Sequence, residues 1–442
     1  MIGSGTHGCV YIEENNAIKY QTPISEDECG FMGLVEYDVM SRCGGHPNVV
    51  ATLGFKRDAI RGTGIIMPLY RYNLEDYLKS NSPLSVDGIR NVLSKILLGL
   101  EYLHLNRVIH GDFKSNNVLC NEDCSELAVC DFSGSTVVYN LRYPAHGLTT
   151  NEQHRSPEMY REEEYTSKID LWAVGILLEQ MVFPKKKRRY SDYVSRMFRK
   201  TEGSFEGLTE PDVAKYPLEI RRLIVGLLRI NPHLRMTATE ALADTFFDPI
   251  REGITDVQMK YNSDKNSLPT LPLIRNRDKV LVCQKTMSFI KRISKKIQEL
   301  VYPVVFHGVD IFERYLEKSH ISPIPERTFD LYLTASFYLA YKLVNPVPIS
   351  IGQFFEDDID VTEVEEIELK IISTLDGRIF SYTYHEIVDD FSVNYKGKFC
   401  DHLLKRYLHH HLNMKNETIE QDRVTYRSLY RDYIQKMKLE YL

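Results

Sequence analysis

The stretch Val108-Ile109-His110-Gly111-Asp112-Phe113-Lys114-Ser115-Asn116-Asn117-Val118-Leu119 sets three polar groups, Asp112, Lys114 and Asn117, between two apolar pairs. The pairs would anchor in a core and hold the polar interior toward a substrate. That arrangement suits phosphoryl transfer, in which a protein mostly positions groups and balances charge. In such a site Asp112 would accept the proton of a substrate hydroxyl, Lys114 would neutralise the transferring phosphate, and Asn117 would hold a magnesium ion. Taken alone, the pattern reads equally well as a polar surface loop.

Other segments must position these groups. Gly3, Gly5 and Gly8 form a G-x-G-x-x-G loop running into Val10, where the missing Cβ atoms let backbone N–H groups approach phosphates. The same string is a dinucleotide-binding fingerprint, but that rival needs a strand before the glycines and a helix after them. Here only Met1 and Ile2 precede the loop, and Cys9-Val10-Tyr11-Ile12 reads as a strand. After a tight turn at Glu14-Asn15-Asn16, Ala17-Ile18-Lys19 reads as a second strand carrying a lysine on an abbreviated ribbon. Residues 28–42 have a helical pattern with Glu36 among Phe31, Leu34, Val35, Val39 and Met40. Ile65 to Tyr70 reads as a strand running into a hinge, where an adenine ring could meet backbone at Met67 and Leu69. A helix starts at Asn73, and a longer one carries Leu93, Ile96, Leu97, Leu100 and Leu103 into the opening stretch.

A chain of 442 residues exceeds what one core usually supports, so two or three domains are expected. A net charge of −6 argues against direct nucleic-acid binding. The eight cysteines lack disulfide or C-x-x-C spacing and read as reduced thiols of an intracellular protein. Cys120, Cys124 and Cys130 with His110 make a poor metal set, and core packing is the better reading. No apolar run is long enough for a membrane span.

Residues 1–250 resemble a eukaryotic-type Ser/Thr protein kinase of the cyclin-dependent kind. The resemblance rests on the ordered set above together with four further motifs. Val129-Cys130-Asp131-Phe132-Ser133-Gly134 is similar to the D-F-G element, with serine in the glycine slot, and Arg155-Ser156-Pro157-Glu158 to A-P-E. Asp170-Leu171-Trp172-Ala173-Val174-Gly175 resembles the buried central helix, and Asn231-Pro232-His233-Leu234-Arg235 supplies the arginine expected to pair with Glu158. The resemblance implies ATP and Mg2+ as cofactors, with Asn117 and Asp131 as metal ligands and Lys19 paired with Glu36. It implies that Gly3, Gly5, Gly8, Val10, Ala17, Lys19, Met67 and Leu69 surround the nucleotide. Lysine two residues after Asp112 implies Ser/Thr substrates in proteins.

The departures from the family pattern concern control. His110-Gly111-Asp112 stands where the family has H-R-D, and Val35 and Thr136 occupy the two positions that complete an arginine clamp in cyclin-dependent kinases. An ordering phosphate needs arginine partners, so Thr149 and Thr150 are not expected to be required activating phosphosites. The segment 149–154 also lacks the apolar residues of a proline-directed kinase. The run Lys185-Lys186-Lys187-Arg188-Arg189 reads as a solvated loop, an acidic-substrate site or a nuclear signal. Localisation is accordingly expected to be cytoplasmic or nuclear.

Residues 251–274 read as a linker, and the chain beyond it as all-helical. Stripes run through Val280 to Leu300, through Val305, Val309, Phe312 and Leu316, and through Phe329, Leu333, Phe337, Ala340 and Val344. Residues 275–391 resemble a cyclin box, through Phe312-Glu313-Arg314-Tyr315-Leu316, the helix Ala335 to Leu343 with Lys342, and Glu368 ahead of Ile371-Ile372-Ser373-Thr374-Leu375. The resemblance implies a Lys342–Glu368 pair on a kinase-facing surface. Residues 392–442 read as a charged helical extension. The expected architecture is therefore an α+β bilobal kinase fold followed by an all-α cyclin-like bundle, a fusion resembling those of large DNA viruses. It implies a cell-cycle-type kinase activated by an intramolecular contact that holds Glu36 against Lys19. The rival is a pseudokinase–cyclin scaffold that binds partners without phosphotransfer, to which Gly111, Ser133 and the clipped first strand lend weight.

Overall fold

In the computed structural model the described residues are 3–5, 8–21, 33–58, 61–137, 143–144, 154–184, 214, 216–262, 286, 289, 302–319, 326–344, 361–377 and 379. The chain divides into two compact units, one of Met1–Glu26 and Phe31–Asn266, the other of Asp27–Gly30 and Ser267–Leu442. Thr149, Thr150, the basic run 185–189 and the extension 392–442 lie outside the described residues, as does nearly all of the first stripe of the helical half.

The first unit begins with strands β1 (Gly3–Gly5), β2 (Gly8–Glu13) and β3 (Asn16–Gln21), then helix α1 (Leu34–Cys43), β4 (Gly54–Asp58) and β5 (Gly62–Pro68). The strands form an antiparallel sheet in the order β1-β2-β3-β5-β4. Glu14 and Asn15, both at positive φ (49° and 67°), close the β2–β3 hairpin. Two left-handed residues make a turn whose twist matches that of the strands it joins. The short ribbon therefore suffices: Lys19 sits mid-strand, opposite Val10 on β2 and Ile65 on β5. Helix α1 buries Leu34, Val39, Met40 and Cys43, and Tyr37 packs edge-on against Phe55 at 5.6 Å.

The second lobe opens with β6 (Tyr72–Asn73), α2 (Leu74–Asn81) and α3 (Val86–Leu105). Asn73 caps α2 by accepting from Asp76 N, and Ser85 caps α3 by accepting from Gly88 N. The leucine stripe read in the sequence is the buried face of α3. Then come β7 (Val108–Ile109), β8 (Val118–Cys120), β9 (Leu127–Val129), β10 (Thr136–Val137), β11 (Tyr143–Pro144), α4 (Pro157–Tyr160), β12 (Glu164–Tyr165) and α5 (Lys168–Val182). Helix α5, with Trp172 at its centre, is buried on nearly every side. Helices α6 (Arg221–Leu227), α7 (Ala238–Leu242) and α8 (Arg251–Asn262) finish the unit. The lobes are stitched by backbone: Val50 N donates to Val129 O and Val129 N to Asn48 O, both at 2.9 Å.

Helix α8 corrects the expected start of the linker at 251. Only Ile254 of this helix is buried, so its sequence carries no apolar stripe and reads as a lapse in periodicity. It docks through polar side chains instead: Gln258 Nε2 donates to Glu101 at 2.8 and 2.9 Å, and Asn262 Nδ2 at 3.2 Å. Tyr261 meets the His46 ring edge-on at 5.0 Å, and His46 stacks on Tyr102 at 4.8 Å.

In the second unit α9 (Tyr302–Ser319), α10 (Glu326–Val344) and α11 (Val361–Thr374) pack together. Phe312 meets Phe329 edge-on at 5.1 Å, and Tyr315 lies 4.9 Å from Tyr332. Gly308 permits close approach, since a Cβ there would lie 2.7 Å from the Phe337 ring. Lys342 Nζ donates to Glu368 at 2.7 Å, and both are buried. Among the described residues no helix is long and apolar enough to cross a membrane.

Arg235 and Glu158, 0% and 1% exposed, form a bidentate pair at 2.6 and 2.9 Å. Removing one partner of a buried pair strands the other charge, at about 3 kcal/mol or more. Glu158→Ala is expected to destabilise the first unit by about that amount in urea unfolding; a change below about 1 kcal/mol would contradict the pair's structural role.

Candidate active site

The polar stretch 108–119 is a loop, framed as its apolar pairs require. β7 and β8 hold its ends, and Val108, Ile109, Phe113 and Val118 are buried. His110 is fully buried; its Nε2 contacts Cys130 O at 2.9 Å, and its Nδ1 accepts from Asp112 N at 3.3 Å. Gly111 has φ 79°, in the left-handed region that glycine enters without strain. The residue that lacks the family's arginine thus also relaxes the backbone.

Beneath the loop, buried Asp170 on α5 accepts from His110 N at 2.9 Å, Gly111 N at 3.0 Å and His104 Nε2 at 2.9 Å. Burial opposes its charge, but the His104 bond and the His110 contacts hold its carboxyl below the usual carboxylate range. Neither His104 nor this use of Asp170 emerged from motif reading. A carboxylate in the first turn of a largely apolar helix, whose other acid is Glu179, was the available signal.

The loop brings Asp112, Lys114 and Asn117 together. Lys114 Nζ lies 2.5 Å from Asp112 Oδ2, and Asn117 Nδ2 donates to Asp112 O at 2.9 Å. Asp131 follows β9 in the left-handed conformation, at φ 65° and ψ 73°, and the turn Phe132–Gly134 after it packs against α1. Phe132 is buried 5.5 Å from the His110 ring. Ser135 Oγ donates to His110 O at 3.1 Å, and β10 pairs with β7 through Thr136 opposite Ile109.

Lys19 joins the lobes. Its Nζ lies 2.8 Å from Glu36 on α1 and 2.6 Å from Asp131 Oδ1. Burial would drive the ammonium to lose its proton, but the two carboxylates outweigh that and raise its pKa. Burial likewise opposes the Asp131 charge, while Lys19 and a hydrogen bond from Ser133 hold that carboxyl well below the usual range.

The nucleotide-facing residues expected from sequence lie on the same sheet. Gly5 is opposite Gly8 in the β1–β2 hairpin, Val10 is opposite Lys19, and Ala17 is opposite Met67. Leu69 follows the end of β5 and is partly exposed. Cys120, Cys124 and Cys130 are buried free thiols, and burial raises the Cys130 pKa. Among the described residues no group of three or more His, Cys, Asp or Glu could hold a metal.

The two carboxamide and carboxylate oxygens expected to take magnesium remain. Among the described residues no hydrogen-bond donor reaches Asn117 Oδ1 or Asp131 Oδ2. Two hard oxygens suit magnesium, which takes one or two protein ligands and completes its shell with water and substrate phosphate.

Comparison with known proteins agrees with this geometry. The protein kinase domain profile matches residues 1–247. The chain is 27% identical over 227 residues to Serine/threonine-protein kinase Nek11 of Macaca fascicularis, covering 51% of this chain and 33% of that protein. It is 25% identical over 311 residues to Mitogen-activated protein kinase 16 of Arabidopsis thaliana, covering 59% and 54% respectively. It is 24% identical over 383 residues to Mitogen-activated protein kinase 8 of Arabidopsis thaliana, covering 73% and 63%. The chain thus spans 33% to 63% of the lengths of these relatives. Since the profile matches 247 of 442 residues, over elements that carry the site just described, the chain belongs to the protein kinase family.

Proposed function

We propose that this chain is an ATP- and magnesium-dependent Ser/Thr protein kinase whose helical second unit activates it in cis. The observation that carries the catalytic part is Lys19 bridging Glu36 and Asp131 while Asp112, Lys114 and Asn117 converge on one loop. Asp112 accepts the proton of the substrate hydroxyl, and Lys114 beside it balances the charge of the phosphoryl group in transfer. Asn117 and Asp131 would hold magnesium, which when bound would supply charge neutralisation at the phosphate oxygens. Lys19 holds the nucleotide phosphates under Gly3, Gly5 and Gly8, while Val10, Ala17, Met67 and the backbone at Leu69 enclose the adenine. Lys114 in its position after Asp112, and relatives named as Ser/Thr kinases, favour Ser/Thr over Tyr. A scaffold without phosphotransfer would not need this full set of charged groups.

Control resides in the position of α1, because Glu36 on α1 completes the Lys19 pair. The second unit resembles a cyclin box, and its buried Lys342–Glu368 pair supports that likeness. Helix α8 carries the chain up to His46, three residues beyond the end of α1. The chain beyond α8 therefore leaves the first unit beside His46, and a stretch the length of residues 263–274 reaches about 40 Å when extended. A short tether gives millimolar-order effective concentration. The start of the activation segment is held by the β10–β7 pairing and by Ser135, without an arginine at 35, 111 or 136. Phosphorylation at Thr149 or Thr150 is then unnecessary.

Asp112→Asn is expected to lower phosphotransfer to a Ser/Thr peptide library by about 100-fold or more while leaving nucleotide binding in place. A loss below about tenfold would contradict the assigned base. Deleting residues 275–442 should abolish most activity while the remaining residues 1–274 still melt cooperatively, and an equally active fragment contradicts activation in cis. Thr149→Ala with Thr150→Ala should retain at least about half the activity, given no arginine clamp to engage a phosphate; near-complete loss contradicts phosphate-independent control.

A further inference from the structure

Ser133 stands where the family pattern has glycine, and its hydroxyl is engaged. In the turn Phe132–Gly134 its Oγ donates to Asp131 Oδ1 at 2.7 Å. Lys19 Nζ donates to the same oxygen at 2.6 Å. Two donors from different elements, β3 and the turn, therefore meet on Oδ1, and among the described residues none reaches Oδ2. The last torsion of an aspartate side chain is broad and roughly two-fold, so one hydrogen bond leaves either oxygen able to turn inward. A second donor on the same oxygen removes that freedom.

We propose that Ser133 is a positioning residue: its hydroxyl, with Lys19, fixes Asp131 by Oδ1 and so reserves Oδ2 for the divalent cation. A glycine here would leave that task to the lysine alone. The inference rests on the metal role proposed above for Asp131. It makes the departure from the D-F-G pattern a support for cation binding rather than a sign of a degenerate site.

The test uses the full chain with Ser133→Ala, Ser133→Thr and Asp131→Asn. Mn2+ binding is measured by electron paramagnetic resonance in the presence of a non-hydrolysable ATP analogue, beside the Mg2+ dependence of peptide phosphorylation. Loss of one hydrogen bond to a charged group predicts that Ser133→Ala weakens Mn2+ binding about five- to tenfold. The Mg2+ concentration for half-maximal rate should rise by the same factor, with a smaller effect on kcat, and Ser133→Thr should restore both. Mn2+ affinity and Mg2+ requirement within about twofold of the unmodified chain in Ser133→Ala, or no recovery in Ser133→Thr, overturns the inference. If Asp131→Asn loses Mn2+ while Ser133→Ala does not, only the role of Ser133 falls. If Asp131→Asn binds Mn2+ as the unmodified chain does, the metal role of Asp131 falls with it.

Discussion

A buried ammonium between two carboxylates is the constraint on which the rest of the first unit depends. Lys19, Glu36 and Asp131 come from β3, α1 and the turn after β9, and meet within 2.8 Å. Desolvation alone would favour the neutral lysine and the protonated aspartate. Each is held by the others. Moving α1 outward would therefore strand a buried charge, a change of several kcal/mol in order of magnitude. The position of one helix is thereby tied to the charge state of Lys19 and of Asp131.

A second buried carboxylate does comparable work for the loop 108–119. Asp170 accepts two consecutive backbone N–H groups and His104, so the loop is bound to α5, the most buried helix of the unit. Gly111 lets the backbone reach Asp170 at positive φ without strain. The loop 108–119 is thus tied to α5 from below, while α1 is held by its buried residues Leu34, Val39, Met40 and Cys43 together with the Lys19–Glu36 pair.

Much of the site was legible because its residues combine a reactive type with a fixed order. Asp112, Lys114, Asn117, Asp131, Lys19 and Glu36 could be read in that way; the structure joins Lys19 to Glu36 and Asp131, and Asp112 to Lys114 and Asn117. Lys342 and Glu368 were expected as a pair, and Lys342 Nζ donates to Glu368 at 2.7 Å. What stayed hidden was held by hydrogen bonds between residues far apart in sequence. Helix α8 docks through Gln258 and Asn262 onto Glu101, which leaves no apolar period to find. Ser133 read as a defect because its type departs from the pattern, and its bond to Asp131 depends on a left-handed turn that no periodicity reports. The cysteines at 120, 124 and 130 were readable as core, since their spacing suits no metal and all three are buried.

If the second unit secures α1, the activating partner is always present at the concentration set by the tether, independent of how many molecules are in solution. Activation by a separate molecule would instead follow the law of mass action. Specific phosphotransfer activity of the full chain, measured over about a thousandfold dilution at saturating Mg2+ and ATP, separates the two cases. Constant activity per molecule is the result predicted here; activity that falls with dilution and returns on adding a separate helical unit would contradict it.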